Sequence, residues 1–191
     1  MRPTPQIIKG KLKSIIRDMA GKPELFVKNP GRDFTRRRKI GFARVIGLIL
    51  GMGRGSLPVE MLEACKYAAD SPTASAFIQQ RDKILPLAFE FLLHEFTRSL
   101  SGMKTYNGFR LLAVDGTDLH IATNPSDPDT YAQNHPEKRG FNLLHLNALY
   151  DLYNDVYLDA LVQGRRTENE HLALVRMVDR CRIPGRAILI A

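Results

Sequence analysis

The segment after Gly108 carries an ordered series of patterns that few folds can accommodate. Apolar runs bounded by turn residues predict strands, and apolar positions every three to four residues predict a helix. In chain order, the predicted elements are strands at 109–114, 142–152 and 156–163, a helix at 167–181 opened by a Thr-x-x-Glu capping box, and a strand at 186–191. Because strand–helix–strand crossovers are right-handed, the last strand can lie parallel to the first and beside it.

Residues 1–100 have a different character, because their apolar positions recur at helical spacing. Predicted helices cover 6–19, 33–50, 56–67, 73–81 and 85–100. The second of these helices is expected to be capped by Asp33 or Thr35. Ser101 and Gly102 then open a loop that separates two domains. The predicted fold class is α+β or α/β, with a helical basic module at 1–100 and a second domain at 108–191.

Positive charge is concentrated near the N-terminal end. The chain has a formal net charge of +8, and residues 1–60 hold 14 Lys and Arg against 4 Asp and Glu, a net charge of +10. Residues 61–191 have a net charge of −2. Such an excess attracts a polyanion. Within this part, a basic cluster could either contact DNA phosphates or simply form a solvated helix face, and the charge excess favours the phosphate contacts. The cluster consists of Arg36, Arg37, Arg38 and Lys39.

Cysteine usage and hydropathy bear on the compartment. Cys65 and Cys181 form no Cys-x-x-Cys pair, which argues against a disulfide framework or a cysteine zinc site. The longest apolar runs, such as 45–50 and 84–89, are far shorter than the roughly 18–20 residues of a membrane span. We therefore expect a soluble cytoplasmic protein without a membrane partner.

Asp115 is the candidate for a catalytic, metal-binding residue. It follows the first predicted strand, so the residue after the last predicted strand would lie near it if the two strands are neighbours. Two carboxylates there could hold a pair of Mg²⁺ or Mn²⁺ ions about 3.5–4 Å apart, an arrangement used for phosphoryl transfer on nucleic acid. An isolated Asp after a strand is also a common turn former. Asp118 is the rival carboxylate, and it is expected to face the other side or the loop.

Several short motifs occur in the same order as in a known family. Leu-Leu-Ala-Val-Asp-Gly-Thr at 111–117 resembles the strand and Asp-Gly-Ser/Thr segment that holds the first catalytic aspartate of bacterial DDE transposases of the insertion-sequence-four type. The segment 73–81 is similar to their Ser-x-x-Ala-Phe-x-Gln-x-Arg motif, with Thr73 in place of Ser. The basic helix around 34–52 and the helix start near 166–170 are also similar, so the resemblance covers most of the chain after about residue 30.

This resemblance implies an incomplete RNase H-like βββαβ core and a site for two Mg²⁺ or Mn²⁺ ions. It further implies cut-and-paste phosphoryl transfer on the DNA ends of an insertion element and on target DNA, with a homodimer in the synaptic complex. Asp115 would be the first catalytic and metal-binding residue. The second Asp would directly follow Ala191 and the Glu would lie further on, so we expect the chain to be a truncated fragment that is inactive alone.

The helix pair around 57–69 and 73–83 resembles a helix-turn-helix, in which Gln79, Gln80 and Arg81 are candidates for base contacts. Ordinary helical packing explains the pair equally well. The five histidines have no ligand spacing and are expected to be structural or surface residues. Glu168 and Glu170 are expected to act first as capping residues.

Two other functions remain open. A non-catalytic DNA-binding or regulatory protein needs only the basic N-terminal part. A generic basic scaffold protein needs only the composition.

Overall fold

The computed structural model describes residues 4–36, 39–69, 71–133, 135, 137–181 and 185–191. The chain divides into two compact units, Pro3–Ser99 and Leu100–Ala191, which we call the N-terminal unit and the C-terminal unit. Helices build the first and a mixed sheet with one helix builds the second, so the chain contains an α+β combination of elements. In the described part of the chain, no helix has both the length and the apolar character of a membrane span.

The N-terminal unit contains five helices within the described residues. They are α1 (Pro5–Ala20), α2 (Phe42–Gly51), α3 (Leu57–Ala64), α4 (Ala74–Arg81) and α5 (Leu87–Ser99). The amphipathic pattern explains their packing, since Met19 of α1, Ile46 of α2 and Phe77 of α4 are almost fully buried in one core. Four of these helices lie close to their predicted positions.

The predicted start of the second helix is wrong. We expected a cap at Asp33 or Thr35, whereas α2 begins at Phe42 and Gly41 is its N-cap residue. Asp33 instead folds back on the preceding turn, where its Oδ2 accepts hydrogen bonds from the backbone N–H and the side-chain amide of Asn29. Phe34 then has a φ of 56°, which no helix interior allows.

A glycine turn connects α2 to α3. The backbone N–H groups of Gly53 and Gly55 donate to the two oxygens of Glu60, at 2.9 and 2.7 Å. These hydrogen bonds stabilise the ionised carboxylate and lower the pKa of Glu60 below its ordinary value. The turn is therefore tied to the first part of α3.

The sheet of the C-terminal unit has β3 at its centre. Its strands are β1 (Phe109–Ile121), β2 (Tyr131–Ala132), β3 (Phe141–Asp151), β4 (Val156–Gly164) and β5 (Arg186–Ile190). Antiparallel pairing joins β3 to β1, β2 and β4. β5 pairs with β1 in parallel, from Phe109 opposite Arg186 to Ala113 opposite Ile190. The parallel pairing of the first and last strands is as predicted.

β1 is twice as long as predicted. We expected it to end at Asp115, but it continues to Ile121 because β3 pairs with it as far as Asn142. Asp115 therefore lies in the middle of a strand, opposite Ala148, and not at a strand end.

α6 (Glu170–Arg180) covers one face of the sheet. Met177 packs there with Leu112 of β1, Leu149 of β3 and Leu158 of β4. The predicted capping box at Thr167 is wrong, because Asn169 is the N-cap residue and its side chain accepts from the N–H of Leu172 at 2.9 Å. Thr167 instead closes a turn, with its N–H donating to the carbonyl of Gly164.

β5 is more exposed than its apolar sequence suggests. We expected Ile188–Ile190 to be buried, but the three side chains are 40–55% exposed. Among the described residues β5 has only β1 as a strand neighbour, and α6 lies over the strands on the other side of β1.

One buried and one partly buried ion pair fasten the C-terminal unit. Arg110 of β1 donates to Oδ2 of Asp151, the last residue of β3, and both side chains are almost fully buried. Arg180 at the end of α6 donates to both oxygens of Asp159 on β4, at 2.6 and 2.9 Å. These pairs link elements that are remote in sequence.

Candidate functional site

Asp115 projects from an exposed position on β1. Its Oδ1 accepts a hydrogen bond from the N–H of Gly116 at 2.8 Å. The register places it two residues beyond Ala113, the last β1 residue that pairs with β5. Within the described residues, Asp115 belongs to no group of three close His, Cys, Asp or Glu side chains. Asp115 alone therefore does not provide the carboxylates that a pair of metal ions requires.

A second carboxylate of β1 lies on the opposite face of the sheet. Asp118 is three residues after Asp115, and side chains alternate between the faces of a strand. Asp118 stands opposite His145 of β3, and Gly116 stands opposite Asn147, so these four residues share the face that carries α6. The expectation that Asp118 faces the other side agrees with this register.

Asp118, His145 and Glu168 come together at the start of α6, and we call them the β1–β3–α6 cluster. Nδ1 of His145 lies 2.9 Å from Oδ1 of Asp118 and 3.9 Å from Oε1 of Glu168. On the other edge of the ring, Nε2 lies 3.4 Å from Oε1 of Glu170. The imidazole is thus surrounded by three carboxylates.

Burial and charge act on His145 in opposite directions. Its side chain is only 7% exposed, and burial by itself disfavours the charged imidazolium. The hydrogen bond to Asp118 outweighs burial and raises the pKa of His145 above its ordinary value, helped by the charges of Glu168 and Glu170. The carboxylates therefore stabilise the protonated ring more than burial destabilises it.

The segments around His145 are tied to one another. Asn147 donates to Oε1 of Gln163 at 3.0 Å, and the amide of Gln163 donates to the carbonyl of Thr167, which ties β3 and β4 to the loop before α6. Gly116 lies against the imidazole, because a Cβ at this residue would be 2.6 Å from Nε2 of His145. Only a glycine leaves room for the ring in this orientation.

The N-terminal unit contains two adjoining grooves beside α4. The larger has a volume of about 760 Å³, and its lining includes Lys28, Arg32, Arg36, Gln79 and Lys83. The smaller, of about 430 Å³, is lined in part by Lys39 and Gln79. Several of the predicted DNA-contacting residues thus lie along one surface, which we call the α4 groove.

Individual candidates differ in their placement. Gln79 and Arg81 are exposed on α4, but Arg81 does not line either groove. Gln80 also lines both grooves, but it is 6% exposed and its Oε1 accepts from Lys83 at 3.1 Å, so it presents less of its side chain than Gln79 does. Arg37 and Arg38 lie outside the described residues.

The α3–α4 pair departs from a tight helix-turn-helix. α3 ends at Ala64 and α4 begins at Ala74, so nine residues separate helices that the motif joins with three or four. The positive φ angles of Lys66 and Tyr67 belong to this longer connection. Met61 of α3 and Phe77 of α4 belong to the same hydrophobic core, as ordinary helical packing predicts.

The burial of His145 is compatible with the expectation of a structural histidine, but the sequence did not indicate that three carboxylates lie around it. Histidine spacing alone gave no signal, because the partners of His145 are carboxylates from two other segments, β1 and the start of α6. Polar residues at alternate positions 145 and 147 within the otherwise apolar stretch 143–149 were the available indication, since they mark one polar patch on a covered face.

In comparisons with known proteins, the chain matches no protein-family model, no curated protein and no solved structure.

Proposed function

We propose that this chain is part of a DNA transposase of the DDE type, in which Asp115 is the first acidic residue of the catalytic centre. The observation that carries the proposal is the position of Asp115 relative to the parallel β1–β5 pair. Ala113 pairs with Ile190, so in a longer chain the second residue after Ile190 would continue β5 beside Asp115. A strand order of β4–β3–β1–β5 with α6 as the crossover agrees with an RNase H-like core.

The described residues set a limit on the chemistry. One exposed carboxylate does not hold two divalent cations, so no catalytic step follows from this chain alone. Asp115 is nevertheless well placed for such a role, because its Oδ2 is not used in the hydrogen bond to Gly116 and the side chain is open to solvent. We therefore propose that the chain supplies one ligand and that further residues complete the centre.

The test uses the protein encoded by the whole open reading frame in which this sequence lies. The purified protein is incubated with DNA that carries the ends of its element and with Mg²⁺ or Mn²⁺, and strand nicking is measured on gels. Asp115→Asn is expected to lower the nicking rate at least about 100-fold, because metal-mediated stabilisation of transferring phosphate is worth several kcal/mol.

Asp155→Asn is the matched control for this substitution. Asp155 has a φ of 56° in the exposed turn between β3 and β4, a conformation that Asn also tolerates. The nicking rate of the Asp155→Asn protein is expected to equal that of the unchanged protein. Equal rates for Asp115→Asn and Asp155→Asn would refute the assignment of Asp115.

A DNA-binding protein without catalysis is the second candidate, and the α4 groove favours it. Cationic side chains from Lys28, Arg32, Arg36 and Lys83 line the larger groove, beside the exposed amide of Gln79. Lysine and arginine bind phosphate through salt-dependent contacts, whereas an amide side chain can distinguish bases. This candidate predicts specific binding of element ends but no cleavage by the protein from the whole reading frame.

Substitutions in the α4 groove separate the two kinds of contact. Arg36→Ala and Lys39→Ala are each expected to weaken binding to all DNA sequences and to reduce the slope of log K against log salt by about 1. Gln79→Ala is expected to reduce the preference for element ends over scrambled DNA by about 1–3 kcal/mol. Fluorescence anisotropy with labelled duplexes at several salt concentrations measures both quantities.

Arg98→Ala serves as the control, because Arg98 lies on α5 and is paired with Glu95 at 2.6 Å. Its removal is expected to leave the affinity and the salt slope unchanged. If all three groove variants bind DNA like the unchanged chain, the α4 groove is not the DNA-binding surface.

A further inference from the structure

We infer that the β1–β3–α6 cluster, Asp118, His145 and Glu168, binds a divalent transition metal of the zinc type and thereby fastens the start of α6 to the sheet. This site is separate from Asp115, which projects from the other face of β1. The inference does not depend on the proposed transposase function.

The ligand atoms are spaced as a single ion requires. One atom from each of the three residues lies within 4.8 Å of the others, and Nδ1 of His145 is 2.9 Å from Asp118 and 3.9 Å from Glu168. Bonds of about 2.0–2.2 Å from Zn²⁺ to nitrogen and oxygen place tetrahedral ligand atoms about 3.3 Å apart. Small rotations of the two carboxylates, which are 46% and 25% exposed, would bring both distances to this value.

The other ring nitrogen of His145 has a carboxylate close by. Nε2 is buried and makes no hydrogen bond, although Oε1 of Glu170 lies 3.4 Å from it. A histidine that binds a metal through one nitrogen usually donates its other ring N–H to a carboxylate, and this bond orients the ring. With a cation at Nδ1, the Nε2–H would face Glu170, and Gly116 already fixes the plane of the ring.

The charge balance also favours a cation. Three carboxylates surround one histidine. Among the described residues, Arg165 is the cation that contacts the cluster, and its Nη1 lies 2.5 Å from Oε2 of Glu168. Arg165 occupies Oε2 and leaves Oε1 directed towards His145. In the absence of metal, Nδ1 lies within hydrogen-bonding distance of Oδ1 of Asp118, and a metal ion at Nδ1 would take the place of a proton there.

The donor set decides the class of ion. An imidazole nitrogen suits Zn²⁺ and Co²⁺, whereas Mg²⁺ prefers oxygen ligands and retains its water molecules. Three protein ligands also leave a coordination position for water. We therefore expect Zn²⁺ and Co²⁺ to bind and Mg²⁺ at millimolar concentration not to displace them.

The test is a titration of the chelator-treated full chain with Zn²⁺ by isothermal calorimetry, and with Co²⁺ by visible absorption. One equivalent is expected to bind. Asp118→Asn and Glu168→Gln are each expected to weaken binding at least about tenfold, and Glu170→Gln to weaken it about tenfold through the orientation of His145. Because these three side chains are partly or largely exposed, the variants keep the fold even if His145→Gln does not.

His171→Gln is the matched control, since His171 is an exposed neighbour of Glu170 on α6. This variant and Asp115→Asn are expected to bind Zn²⁺ with unchanged affinity. Unchanged binding in Asp118→Asn and Glu168→Gln, no binding by the unchanged chain, or loss of binding only in His171→Gln would each overturn the inference. A transposase with no Zn²⁺ site would retain its Asp115-dependent nicking, so the two proposals fail separately.

Discussion

Replacement of Asp151 by asparagine is expected to destabilise the C-terminal unit by about 3–5 kcal/mol, because it leaves the buried charge of Arg110 without a partner. Asp151 is fully buried and Arg110 is 5% exposed. The other carboxylate oxygen accepts from the backbone N–H groups of Tyr153 and Asn154 at 3.0 and 3.1 Å, so the same residue also holds the turn between β3 and β4. Asparagine would keep those turn contacts but direct an amide group at the guanidinium.

Urea unfolding followed by tyrosine fluorescence is suited to this measurement. Five of the six tyrosines lie in the C-terminal unit, and Tyr67 alone belongs to the N-terminal unit. Asp155→Asn, in the same turn but exposed, should change the free energy of unfolding by no more than about 0.5 kcal/mol. A similarly small effect of Asp151→Asn would show that the pair with Arg110 contributes little.

Gly116→Ala is expected to cost the C-terminal unit about 1–3 kcal/mol, because its new methyl group overlaps a buried ring. The added Cβ would lie 2.6 Å from Nε2 and 3.0 Å from Cε1 of His145, and 3.2 Å from Oδ1 of Asn147. The ring has little space to move, since Asp118 holds its other edge. We expect a lower urea midpoint and a changed ring environment of His145 in proton NMR spectra.

The same substitution at Gly47 provides the contrast. Gly47 lies inside α2, and a Cβ there would meet nothing within 4 Å. Gly47→Ala should therefore stabilise the N-terminal unit by about 0.5–1 kcal/mol, because alanine favours helix. If Gly116→Ala were as stable as the unchanged chain, the close packing of His145 against β1 would be wrong.

The order of elements could be predicted from local patterns, and the ends of elements often could not. Apolar spacing placed α1, α4, α5, β3 and β4 within a few residues, because each of these elements has its own periodicity. The end of β1 depends on β3, which continues to pair after the apolar run of β1 has stopped. The start of α2 depends on the turn that Asp33 makes with Asn29, and composition does not reveal this choice.

For the candidate sites too, local patterns could be predicted from the sequence and contacts between distant segments could not. Asp115 was selected from a short motif, and its exposure on β1 is compatible with that selection. The pairing of Asp118 with His145 requires a register between strands 27 residues apart in sequence. The ion pairs of Arg110 with Asp151 and of Arg180 with Asp159 also join residues that are distant in sequence. Without knowledge of its partner, each of these charged residues would be predicted to lie on the surface.

The alternation of side chains along β1 has a consequence for how this chain can vary. Asp115 and Asp118 project from opposite faces of one strand, so a slip of β1 by one residue against β3 would exchange their surroundings. Asp115 would then enter the covered face, and Gly116 would move away from His145. A one-residue insertion or deletion between these two aspartates would therefore turn one of them to the opposite face while the other kept its pairing, whereas one in the loop after Ile121 could leave both in place.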